Sequence, residues 1–386
     1  MERVVYAGIW AKTYNGSDGG GIEVLCCKEG QWKRLQKVET GKSVSFLTAD
    51  KERRLLFAVC ETNYHGKNEP GGEIRVYWIE KSGMLKQADV CNSFGGFPIA
   101  IHLEREWAVV LNHGSNLGKI CVTYREDNGE IQSAFISDEA NLALFQREKD
   151  GRLGKLLDRY IFRGQGDIRG FQDSPSPHSL YASYKEPLFY VPERGTDIIS
   201  VLRAENGGKS GLAPTGIKKE NQMEPAKGTG PRNGVEKGGF HYILSEIEPL
   251  IIVFKEEKGK YKRIQEISTV PEEAKTGMDK ESFDYPHPAG ICVHPLGKYL
   301  YTITRKVDAV TVFEILPGSG ELKYRTIFKL AGKNPRQISC RGDNLEIVCM
   351  DSGSILRVQL DRGIPVFQKE IISGIPRIAV LHYGIE

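Results

Sequence analysis

Four residues of this chain have the types needed to hold an anion and move a proton: His178, Arg232, Glu246 and Arg305. A guanidinium presents paired donors to phosphate or carboxylate and keeps its charge. An imidazole or carboxylate beside it can take a proton from water. The four lie far apart in the sequence, so a larger architecture must bring them together.

That architecture is a repeat. Strands of alternating β-branched and aromatic residues, each followed by a glycine-containing turn and a second strand, read as hairpins. They occur at Gly21–Val24, Glu73–Tyr77, Lys119–Val122, Asp197–Val201, Leu250–Phe254, Ala309–Phe313 and Ser354–Val358. A proline unit leading into an apolar run precedes most of them, at Pro98, Pro177, Pro231, Pro288, Pro335 and Pro376, with Val44 in the equivalent place. The successive intervals are 54, 79, 54, 57, 47 and 41 residues. A four-stranded propeller blade takes about 40 to 50 residues, so the pattern predicts seven blades. The last proline unit has no hairpin after it, and the first hairpin has no proline unit before it. Residues 1–386 are therefore expected to form one all-β, seven-bladed propeller whose two ends complete a shared blade.

In a blade the first strand leaves one face and the second returns to it. The proline unit and the residue 14 to 17 positions later should meet there. The second position holds Glu61, Asn112, Glu193, Glu246, Arg305 and Asp351, and the proline units add His178, Arg232, Arg336 and Arg377. Such a convergence around a central channel is a candidate binding site. The long 79-residue interval contains Leu153, Leu156, Leu157, Tyr160 and Ile161 at helical spacing, which predicts a short helical insertion near 138–162. The Gly- and Lys-rich stretch 207–230 reads as a long surface loop.

A formal net charge of +3, with no basic block, gives no indication of nucleic acid or an anionic membrane as partner. No run approaches the roughly 20 apolar residues that span a bilayer, and the N-terminus lacks a signal-peptide pattern, so a cytoplasmic protein is expected. None of the eight cysteines forms a C-x-x-C pair, which favours buried small hydrophobes over a metal or disulfide framework.

Several segments resemble the lactonase propellers of 6-phosphogluconolactonase type, a family related to the carboxymuconate cyclases. Gly164-Gln165-Gly166 with Gln172-Asp173-Ser174-Pro175-Ser176-Pro177-His178-Ser179 is similar to G-x-G…Q-x-x-P-H-P-H-S. Gly228-Thr229-Gly230-Pro231-Arg232-Asn233 is similar to G-x-G-P-R-H, and Tyr242–Ile247 to Y-x-L-N-E-L. Gly297–Arg305 resembles G-R-F-L-Y-x-S-N-R, and Asn334-Pro335-Arg336 matches N-P-R. The likeness runs in order over nearly the whole chain. Ser176, Asn233 and Thr304 depart from the family pattern, and Glu193 stands where many members carry aspartate.

The resemblance implies a propeller that hydrolyses a sugar lactone, with 6-phosphogluconolactone as the default substrate and no cofactor. It places the catalytic set on His178, Arg232, Glu246 and Arg305, with Arg336, Asn233, Glu193 and Gln172 as substrate-binding positions. Either Glu246 or His178 could be the base that activates water. The partner expected is a small anionic sugar lactone or related carboxylate. A carboxymuconate-type cycloisomerase and a non-catalytic protein-binding propeller are the alternatives.

Overall fold

The structure is a computed structural model that describes residues 3–12, 19–28, 31–66, 69–115, 119–137, 139–205, 213–276, 278–279, 282 and 284–384. Among these, seven four-stranded antiparallel sheets form the blades of a propeller. Blade 1 comprises Ser43–Asp50, Leu55–Glu61, Glu73–Ile79 and Leu85–Asn92. Blade 2 comprises Pro98–Leu103, Trp107–Asn112, Asn141–Arg147 and Leu153–Ile161. Blade 3 comprises Tyr181–Ala182, Leu188–Glu193, Ile198–Glu205 and Gly216–Met223, and blade 4 Pro231–Lys237, Phe240–Ser245, Leu250–Glu257 and Lys260–Ser268. Blades 5 and 6 run from His287 to Lys329 and from Pro335 to Ile372. Blade 7 pairs the late strand Ile378–Tyr383 with Arg3–Ala11, which carries Gly19–Lys28 and Gln31–Glu39 outward.

The core lies between blades. Tyr301, Ile303, Val310 and Val312 of blade 5 pack on Leu345, Ile347, Leu356 and Val358 of blade 6, all buried. One hydrogen bond recurs between neighbours: Tyr6, Tyr242 and Tyr301 each donate to a turn glycine of the next blade, Gly83, Gly320 and Gly363, at 2.9–3.0 Å. The glycines serve two needs. They hold φ of 69–84°, and a Cβ on Gly363 would come within 2.1 Å of the Tyr299 ring.

The chain enters each blade by a similar device. Phe97, Ser176, Gly230 and Asn334, each directly before the proline of its unit, have φ of 46–65°. The register then slips by one residue after Val44, Pro98, Pro231, Pro288 and Pro335. Such a bulge frees one residue from the ladder and re-aims its side chain. The freed residues are Ser45, Ile99, Arg232, Ala289 and Arg336, and all five line one central cavity.

The structure overturns the helical insertion near 138–162. Asn141–Arg147 and Leu153–Ile161 are the two outer strands of blade 2. The helical spacing arises from irregular pairing: the register shifts between Leu144 and Phe145 and again before Arg147, so residues 153, 156, 157 and 160 mimic one helix face. The true insertion is the hairpin Lys119–Arg125 with Ile131–Ser137, a separate two-stranded sheet that accounts for the long interval. The only helix among the described residues is a 3-10 turn at Glu272–Ala274. Gly216–Met223, expected to be loop, is the outer strand of blade 3, and residues 206–212 lie outside the described ones. Cys26, Cys60 and Cys349 are buried as expected, whereas Cys121, on the displaced hairpin, is exposed.

Candidate active site

One bulge, the Pro177 unit and three strand ends assemble the charged centre. Arg232, freed by its bulge, reaches to the neighbouring blade 3 and uses one nitrogen twice: Nη1 donates to His178 Nε2 at 2.7 Å and lies 2.8 Å from Glu246 Oε1. Arg305, the last residue of its strand, donates from Nη2 to the same Glu246 Oε1 and from Nε to the His287 carbonyl at 3.2 Å. Arg194 Nη1 stands 3.5 Å from Glu246 Oε2. Three guanidiniums thus surround one carboxylate. Burial opposes ionisation of Glu246, but the charges of Arg232, Arg305 and Arg194 overcome it and hold the carboxyl well below the usual range.

His178 is neutral for the opposite reasons. Burial depresses its basicity and the Arg232 charge adds to the effect, leaving it well below the ordinary imidazole range. Its Nε2 accepts from Arg232, so the ring proton sits on Nδ1. His113 packs edge-on against it, with ring centroids 5.5 Å apart, and bonds the Gly114 carbonyl through Nδ1 at 2.8 Å. Burial, with the nearby Arg194 charge, pushes His113 down to about 4.

A cavity of about 210 Å³ opens beside this centre, and His178, Arg232, Asn233, Arg336 and Glu61 contribute to its walls. Arg336 stacks its guanidinium 3.9 Å above the Trp10 ring, which fixes the plane without using its N–H groups.

The other expected binding positions act from outside the cavity. Glu193 accepts from Ser200 at 2.5 Å and Thr196 at 2.9 Å, and burial raises it to about 7 despite these bonds. Gln172 donates to the Arg194 carbonyl at 2.9 Å and accepts from the Ile168 amide. Both therefore secure the loops that carry His178 and Arg194. Asn233 lines the cavity while donating to the Ala289 carbonyl at 2.7 Å. Of the remaining strand-end residues, Asn112 bonds Ser93 and Asn141, and Asp351 caps Asn334. Arg194 and His113 were missed by sequence. Each sits one position beyond the strand-end residue that the repeat marks.

The buried histidines set an acid limit on stability. His113, His241 and His382 are held to about 4 by burial, and His178 is also depressed. Between pH 6.5 and 4 the unfolded chain binds protons there that the folded chain refuses, so stability falls as pH falls through this window. A shift of the size at His113 corresponds to about 3 kcal/mol at its full extent. Glu193, raised to about 7, and Glu61, also raised by burial, work in the other direction, because their burial penalties are relieved as pH drops towards the ordinary carboxylate range. Four groups outweigh two. The thermal midpoint should fall from pH 7 to pH 5, and a midpoint that holds or rises would contradict this electrostatic picture.

The family model for "Lactonase, 7-bladed beta-propeller" matches residues 8–364. A probable 6-phosphogluconolactonase of Arthroderma benhamiae is 23% identical over 86% of this chain and 74% of its own length. A 6-phosphogluconolactonase of Formosa agariphila is 21% identical, covering 92% of this chain and 90% of its own. Among solved structures, a putative 6-phosphogluconolactonase of Bacteroides fragilis superposes with a TM-score of 0.78 at 19% identity, over 99% of this chain and 98% of its own. The periplasmic gluconolactonase of Pseudomonas aeruginosa gives 0.77 at 19% identity, over 100% and 99%. Among the described residues no helix is long and apolar enough to cross a membrane, and no group of three or more His, Cys, Asp or Glu could hold a metal ion.

Proposed function

The chain belongs to the lactonase family of seven-bladed β-propellers, and from this membership and the channel geometry we propose that it hydrolyses an anionic sugar lactone, with 6-phosphogluconolactone as the first substrate to test. The observation that carries the reading is the single Arg232 nitrogen shared between His178 and Glu246 at the wall of the cavity. Hydrolysis needs an anchor for the substrate anion, donors for the oxyanion and a base for water. Arg336 presents a guanidinium held flat on Trp10, suited to a phosphate or carboxylate. Arg305 Nη1 makes no hydrogen bond among the described residues, and the side chain is 20% exposed, so it can reach a ligand oxygen.

His178 is our choice of base over Glu246. It faces the cavity, whereas Glu246 is not among the lining residues, its Oε1 shared by Arg232 and Arg305 and its Oε2 3.5 Å from Arg194. An anion that takes up the Arg232 hydrogen bond frees His178 Nε2 and offsets the Arg232 charge, which adds to the burial that depresses it. The base is thus switched on by the substrate. Glu246 keeps Arg232 and Arg305 aligned.

The test is hydrolysis of 6-phosphogluconolactone and of δ-gluconolactone by purified protein, corrected for spontaneous opening. Turnover of the phosphorylated lactone should exceed that of the neutral one, because the arginines reward an anion. Rates equal to the uncatalysed reaction on both would end the lactonase reading.

A further inference from the structure

Resting on that reading, we propose that Glu61 is a further catalytic residue, the acid that protonates the ring oxygen of the lactone as it leaves. Glu61 is the last residue of the second strand of blade 1 and pairs with Ser43. It faces the same cavity as His178, Arg232 and Arg336, approached from the blade 1 side of the ring. Its Oε2 is shut off from solvent and meets no donor at good hydrogen-bond geometry, the Ser45 hydroxyl being the one neighbour that touches this carboxyl. A buried polar oxygen left unpaired is costly, unless a ligand completes it.

The two carboxyls of this channel have opposite surroundings. Glu246 is gripped by Arg232, Arg305 and Arg194 and stays ionised. Glu61 has no ion-pair partner among the described residues, since Arg232 is engaged by Glu246 and Arg336 lies on Trp10. Burial accordingly raises Glu61 above the usual carboxylate range, over the opposing charges of Arg336 and Arg232 and the Ser45 hydroxyl. Paired groups whose environments separate their proton affinities divide into an acid and a base. Across the cavity, neutral His178 accepts and Glu61 gives.

The step balances. Water loses a proton to His178 as its oxygen bonds to the carbonyl carbon, and the carbonyl oxygen takes the negative charge. Collapse of that oxyanion breaks the bond to the ring oxygen, whose electron pair takes the Glu61 proton. The product acid ionises to solvent, and transfer of the proton from His178 to Glu61 restores both groups. An alkoxide is a poor leaving group, so the acid matters most at this point.

Leaving-group chemistry isolates the role. Glu61→Gln keeps shape and donors but has no acidic proton. With 6-phosphogluconolactone its kcat should fall roughly 100-fold. With the analogue carrying sulfur in place of the ring oxygen, a thiolate leaves without help, and the loss should shrink to less than about 5-fold. Binding of 6-phosphogluconate, by calorimetry, and the thermal midpoint should match the wild type, and Glu61→Asp should recover part of the rate. Equal losses on both substrates, or none on the oxygen lactone, would overturn the assignment while leaving lactonase activity standing. Absence of wild-type turnover on both would instead remove the reading on which it rests.

Discussion

Replacing Glu246 with glutamine should lower lactone turnover by about 1000-fold and reduce unfolding free energy by about 3 to 5 kcal/mol, the cost of breaking a buried ion pair from one side. The amide preserves volume but removes the charge on which three guanidiniums converge. Glu246 and Arg232 are 6% and 5% exposed, so solvent cannot replace what is lost. Burial already works against the Arg232 charge, with Glu246 its main support and Arg305 and Arg336 repelling it. Without the carboxylate, Arg232 has reason to leave its place between the two partners, and His178 loses the donor that fixes its tautomer. Urea unfolding and lactone hydrolysis on the same preparation check both halves. A variant within 10-fold in rate and 1 kcal/mol in stability would show that the carboxylate is not the keystone of this cluster.

The contrast between this centre and its flanks explains how much could be read in advance. The blades were legible because hairpin alternation and the proline units are local patterns repeated along the chain. His178, Arg232, Glu246 and Arg305 were legible because each occupies a repeat position: just after a proline or at a strand end. Blade 2 was misread where irregular pairing shifted the register at Phe145, since one extra residue turns a strand period into an apparent helical one. Gln172 and Glu193 carry family-like positions, yet their partners are Arg194, Ile168, Thr196 and Ser200, contacts that only the folded loop defines. Arg194 escaped for the same reason: its approach to Glu246 crosses from blade 3 to blade 4. The aim of Arg232 and Arg336 into the channel depends on bulges, and a one-residue slip leaves little trace in composition.

Arg305→Ala should separate catalysis from folding in a way Glu246 cannot. After its removal Glu246 still has Arg232 at 2.8 Å and Arg194 at 3.5 Å, so the buried carboxylate remains compensated. The bond lost to the His287 carbonyl leaves an acceptor that water can reach through the vacated, partly exposed space. Stability should therefore change by less than about 1.5 kcal/mol, the net worth of an ordinary hydrogen bond. Turnover should fall much further. Nη1 is the free donor on this side of the cluster, and loss of one oxyanion-type donor costs about 100- to 1000-fold in rate. Arg305→Lys should not restore it, because a single ammonium cannot bond His287, Glu246 and a substrate oxygen in the fixed fork that a guanidinium supplies. Near wild-type kcat/KM in the alanine variant would remove the oxyanion role from Arg305 and leave it as part of the scaffold. Full rescue by lysine would mean that charge alone, without the fork, is what the substrate reads.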